Sequence, residues 1–226
     1  MADALETLAA LQLGDSFFPS GATSFSWGLE TLRAEGELRG AEAVGAFVAG
    51  QIEHRWATFD RPALAAAWRA RGDLALVCDL DREVDAATLA REAREGARRI
   101  GSALLKVHAG MGTPGAHEYL ACVHAGKACG QLPVVQGFIG HAAGLTEATA
   151  SALSAYQVAS GIVAAAIRMG MMGHVDAQRI LQAQRARVAE VLASPPPPRD
   201  ALQTYAPMAE IAMMRHETGD ARLFAS

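Results

Sequence analysis

Of the 226 residues, 51% are apolar, 19% charged and only 6% aromatic, and the formal net charge is -4. A chain of this length buries a sizeable core without disulfide or metal staples. Its basic residues gather into no stripe, which excludes a nucleic-acid backbone as the expected partner.

The apolar share is carried mainly by Ala and Leu, strong helix formers, so the chain reads as all-α. Leu5, Leu8, Leu11 and Leu13 recur at helical spacing and residues 14–16 close that first helix. Phe17-Phe18-Pro19-Ser20-Gly21 reads as a loop. A second helix starts near Ser24, and a third spans 41–58. A short one covers 61–71, with Pro62 in its first turn and Gly72 beyond its end. Asp73 is a candidate cap for the next segment, where the apolar run 74–78 fits a buried helix among helical neighbours. Helices follow over 86–109 and 116–128, separated by the breaker 110–115. Pro133 restarts the chain into 134–143, Thr146 and Glu147 open a long helix to about Met169, and a last long one covers 175–193. Pro195 to Pro198 supply no backbone donors and favour an extended chain. Beyond them Pro207 opens a final helix with Ile211 and Met214 on one stripe. The expected organisation is one compact, bundle-like helical domain over 1–194. A Pro-rich linker and a mobile C-terminal partner-binding tail occupy 195–226.

Three cysteines, Cys78, Cys122 and Cys129, are an odd number. Asp3 and Glu6 stand where a signal peptide carries cations, so a reducing cytoplasm is expected. The apolar stretch 158–172 is interrupted by Arg168 and falls short of the roughly 20 residues a membrane helix needs.

Three constellations bear on chemistry. Cys122 and His124, with His117, Glu118 and Cys129 nearby, are metal-ligand types. They fall on different helix faces without Cys-x-x-Cys or His-Glu-x-x-His spacing, and core packing accounts for them better. Ser20, Ser24 and Ser26 sit in a glycine-bearing loop that lacks the strand-turn-helix frame of a nucleophile elbow. No phosphate-cradling glycine motif occurs. Phe17-Phe18-Pro19 divides evenly between core packing and partner contact.

Residues 11–21 (Leu-Gln-Leu-Gly-Asp-Ser-Phe-Phe-Pro-Ser-Gly) and 24–30 (Ser-Phe-Ser-Trp-Gly-Leu-Glu) resemble the opening of the urease accessory protein UreF family. Residues 131–137, 164–169 with Gly173 and Gln178, and 206–226 are similar to that family's later blocks, in the same order. The resemblance implies an all-helical protein that dimerises, binds a second accessory protein (UreH or UreD) and recruits the GTPase UreG, so that nickel reaches apo-urease. Its role there is scaffolding and control of the GTPase. It is expected not to be an enzyme and to hold no cofactor of its own, nickel being handled by the complex. It further implies partner-binding roles for Phe17, Phe18, Pro19, Ser20, Gly21, Glu30, Pro133, Gly137, Arg168, Gly173, His216, Glu217, Arg222, Leu223 and Phe224. Ala22, Phe25 and His174 depart from the family pattern, and Phe25, in place of a histidine, suggests packing rather than nickel binding. The competing class is a helical metal-dependent enzyme with His and carboxylate ligands from facing helices, which would need Glu-x-x-His repeats.

Overall fold

The computed structural model describes residues 2–15, 17–19 and 25–217. These residues form helices and no strand, as the composition predicts. The helices are α1 (Ala2–Gly14), α2 (Leu29–Ala34), α3 (Gly40–Gln51), α4 (Arg61–Arg69), α5 (Leu74–Ala87), α6 (Arg91–Met111), α7 (Ala116–His124), α8 (Leu132–Ala142), α9 (Glu147–Arg168), α10 (His174–Leu192) and α11 (Pro207–His216).

Start signals act where the sequence places them. Asp73 caps α5 by accepting from Ala75 N and Leu76 N at 3.0 and 3.2 Å. Thr146 caps α9 through Thr149 N at 3.2 Å; each bond satisfies an orphan N–H of the first turn. Glu6 of α1 reaches the same cap, accepting from Thr146 N and Thr149 Oγ1 at 2.8 and 2.6 Å. These bonds hold the Glu6 carboxyl below its usual range.

The predicted break between residues 58 and 61 is absent. Residues 40–69 run without interruption, with a π-helix, Ile52–Asp60, joining α3 to α4. Pro62 removes one N–H donor inside this rod, and the wider π winding leaves carbonyls free for other partners. Thr58 O accepts from Gln203 N at 3.2 Å, and His54 O from Tyr205 N at 2.9 Å.

The rod is shared by the two main clusters of the core. Trp56 packs with Leu29, Val44, Val48, Ile162 and Val163, where α2, α3, α9, α10 and α11 meet. Phe59, one helical turn on, packs with Val77, Leu105, Tyr119 and Phe138 from α5, α6, α7 and α8. α9 is long and apolar enough to cross a membrane by length and composition, but half of its most apolar window is buried in these clusters.

Candidate partner-docking surface

The chain after α10 is bonded to the domain before it reaches α11. Arg61 donates to Val191 O at 2.9 Å and Ser194 O at 2.5 Å, closing the end of α10. Arg199 pairs with Glu83 at 2.5 Å. With the two backbone bonds to the π-helix, these contacts lead residues 195–206 along the domain surface. The Pro-rich run offers few donors to compete with them.

α11 then lies on α2 and α6. Its inner face buries Ala209, Ala212, Met213 and His216. The approach is close because position 28 has no side chain: a Cβ there would stand 2.7 Å from Ala209 O and 3.1 Å from Ala212 Cβ. Gly28 also sits at φ 82°, in the left-handed region open to glycine. Trp27 precedes it at φ 57°, uncommon for a side-chain-bearing residue.

His216, 5% exposed, joins three elements. Its Nδ1 lies 2.8 Å from Glu92 Oε2 on α6, and its Nε2 3.3 Å from Glu30 Oε2 on α2. Salt bridges flank it, Arg91 with Glu217 at 3.2 Å and Arg215 with Glu35 at 2.9 Å. Together these contacts fix the orientation of the helix. Its outer side carries Met208, Ile211 and Met214 at i, i+3 and i+6, and these remain exposed, as does Tyr205 just before it. Between α3 and residues 205–209 runs an apolar groove of about 490 Å³, floored by Leu38, Phe47 and Ala206.

The residues singled out from the sequence divide by position. Glu30, His216 and Glu217 come together in this clamp, and Glu92, Arg91 and Gly28 complete it. Glu92 escaped sequence reading because it is 124 positions from His216 and no periodicity links them. Phe17 and Phe18 separate. Phe18 stacks on His108 with centroids 5.6 Å apart, Phe17 is 89% exposed, and Asp15 Oδ1 holds the turn by accepting from Phe17 N at 2.9 Å. Pro19 is exposed. Pro133 and Gly137 lie inside the domain on α8, where a Cβ at 137 would come within 2.1 Å of Leu64 O on α4. Arg168 ends α9 and Gly173 precedes α10, both exposed. Ser20, Gly21, Ala22, Arg222, Leu223 and Phe224 lie outside the described residues.

The departures and the metal-ligand types also find places. Phe25 is buried, edge-on to Trp27 at 4.9 Å, against Gly96, where a Cβ would approach its ring to 2.3 Å. His174 is exposed at the first turn of α10. His117 and His124 are also exposed. Cys122 packs at the edge of the cluster holding Cys78, whose thiol burial pushes up to about 11. Among the described residues no three His, Cys, Asp or Glu side chains gather as a metal would require.

Comparison with known proteins bears on the whole chain. A family model described as UreF matches residues 38–185. A urease accessory protein UreF from Trichodesmium erythraeum (strain IMS101) is 32% identical over 232 residues, covering 99% of this chain and 98% of the relative. Another with that name from Actinobacillus pleuropneumoniae serotype 3 (strain JL03) is 30% identical over 222 residues, covering 96% and 98%. A third, from Kocuria rhizophila, is 31% identical over 227 residues, covering 97% and 96%.

Proposed function

Since the chain belongs to the UreF family of urease accessory proteins, we propose that it is an adaptor of urease maturation. In this reading it bridges a second accessory protein, UreH or UreD, and the GTPase UreG, and it acts as a homodimer within their complex in the cytoplasm. Nickel is the cargo of the assembly and reaches apo-urease through it, with no cofactor resident in this chain. The relatives are named as accessory proteins, in keeping with a scaffold rather than an enzyme.

The observation that carries the proposal is the two-sided character of α11. Its inner face is tied down by His216, Glu30 and Glu92, while its outer face presents Met208, Ile211 and Met214. A monomer gains nothing by exposing aligned large apolar side chains, and such a stripe beside a groove fits helix or loop docking. Phe17, Phe18, Pro19, Ser20 and Gly21 would extend the contact surface from the N-terminal loop. Arg222, Leu223 and Phe224 would extend it from the C-terminus. Arg168 and Gly173 would serve a second contact, while Pro133 and Gly137 would act by holding α8 in place.

Co-expression with the cognate UreH or UreD and UreG, followed by mass measurement of the purified assembly, tests the reading. A stable complex holding two copies of this chain is the expected result. Recovery of this chain alone under the same conditions would overturn it.

A further inference from the structure

A second feature lies inside the domain. Beneath the Phe18 turn is a cavity of about 80 Å³. Trp27, Phe59, Leu104 and Ile139 line it with apolar surface, and Arg55 and Asp60 bring charge to it. Space of this size holds several waters or one small ligand.

Arg55 is 5% exposed. Its guanidinium carbon lies 5.1 Å from the Trp27 ring centroid and 5.5 Å from that of Phe59, so aromatic rings cover it and leave the N–H edge for an acceptor. Asp60 Oδ2 stands 3.5 Å from Nε, an ion-pair contact rather than a hydrogen bond. Nε is a buried donor without an acceptor among the described residues. A buried donor in this condition is costly until an acceptor meets it.

The other polar side chains around the cavity do not meet it. Trp56 Nε1 donates to Ser154 Oγ, Ser154 Oγ to Gln136 Oε1, Gln136 Nε2 to Gln157 Oε1 and Gln157 Nε2 to Leu13 O, at 3.3, 2.9, 2.7 and 2.9 Å. That chain of bonds is complete without Arg55.

The backbone brings the two charged groups together. In an α-helix, residues five apart are about 140° apart around the axis. Arg55 and Asp60 instead belong to the π-helix Ile52–Asp60, whose i to i+5 bonding brings such pairs onto one side, a winding frequent at functional sites. Burial pushes the Asp60 carboxyl above its usual range, against the pull of Arg55. The Arg55 Nε–H beside it is a donor only, and it calls for an acceptor.

We infer that this cavity is a binding site for a small planar oxyanion, held on the guanidinium edge of Arg55 with Asp60 beside it. Two parallel N–H bonds to one ligand match the fork geometry of guanidinium and carboxylate. A cavity of this volume limits the ligand to a few heavy atoms. This site is independent of the adaptor reading and would stand if that reading failed.

The test uses the isolated full-length chain with sodium formate, acetate and nitrate, each against sodium chloride at equal ionic strength. Saturable broadening of the carbon-13 resonance of labelled formate is expected, with a rise in melting temperature of about 2–4 °C at several times the Kd. Binding of nitrate as well as formate identifies a general planar-oxyanion site, and binding of formate and acetate without nitrate identifies a carboxylate site. Arg55→Met should weaken binding at least tenfold. Ala97→Leu, which fills the cavity from α6 and leaves the charges in place, should do the same and decides the matter if Arg55→Met does not fold. Absence of saturable binding, a shift matched by chloride, or binding undiminished in Ala97→Leu would overturn the proposal and leave the cavity to water.

Discussion

Asp81 shows how much one buried carboxylate organises in this molecule. It accepts from Cys129 N, Gly130 N and Gln131 N at 2.8, 2.7 and 2.7 Å, so the connection into α8 is folded around it. Burial raises its pKa, and the three amide bonds oppose that rise. Asp85, one turn later, shows the opposite balance: burial pushes its carboxyl up, but a two-bond contact with Arg98 at 2.5 Å and a bond from Gln131 outweigh burial and hold it below the usual range. A carboxylate with a depressed folded-state pKa contributes stability that is present above its unfolded value and is lost as pH falls through the folded one. Asp85→Asn should therefore be less stable than the parent at pH 7, and the gap should close as pH falls below about 4. Urea unfolding at several pH values checks this, and a gap that widens in acid would contradict it. His216 is the corresponding residue in the clamp. His216→Ala leaves Glu30 and Glu92 without that partner and opens a hole, so it should cost about 2–3 kcal/mol, read by denaturant midpoint, with hydrogen exchange rising first in α11. Resemblance picked out Glu30 and His216 from the sequence. Glu92 and Gly28 were illegible because their roles arise only when chain segments far apart in sequence meet.

Helix existence was largely legible at the scale of elements, because Ala and Leu periodicity and the caps at Asp73 and Thr146 are local signals. The continuous rod 40–69 was not, since Pro62 ordinarily marks a start or a break. Here tertiary contacts override that local rule: the backbone of residues 203–205 takes up carbonyls of the π-helix. The pairing of Phe17 and Phe18 was equally open until His108 on α6 supplied a stacking partner for the second ring. Helix contacts in this fold depend on positions without side chains. Gly137→Ala would drive a methyl group to 2.1 Å from Leu64 O, a backbone atom that cannot swing away. The expected loss is about 3 kcal/mol, at the high end for overpacking. Gly28→Ala combines a left-handed backbone with a 2.7 Å approach to Ala209 O. It should release α11 with a smaller effect on the rest of the fold. Amide exchange separates the two: protection lost throughout α4 and α8 for the first, and mainly in α2 and α11 for the second.

For the whole molecule, the segment after residue 194 connects fold to function. Composition and proline content described a tether, and the described part of it is bonded to the domain at Arg61, Thr58, His54 and the His216 clamp. Amphipathicity alone could not say which stripe of α11 faces inward, because Ala209, Ala212 and Met213 bury one side while Met208, Ile211 and Met214 stay exposed on the other. That division allows stability and partner binding to be separated experimentally. Met208 and Ile211 are 52% and 47% exposed, so Met208→Ser with Ile211→Ser removes little buried area and should move the melting temperature of the isolated chain by less than about 2 °C. If their stripe is the docking face, the same pair should weaken binding to UreH or UreD by about 1–3 kcal/mol, the usual loss for interface anchors. Calorimetric titration of the two purified proteins gives that difference directly. Leu5→Ser with Leu8→Ser on α1, whose side chains are 63% and 62% exposed, is the matched control for a general loss of apolar surface. Equal weakening by both pairs would show that the partner reads apolar surface on α1 as well as α11. Unchanged binding by the α11 pair would remove that stripe from the interface and shift the search to the N-terminal loop around Phe17.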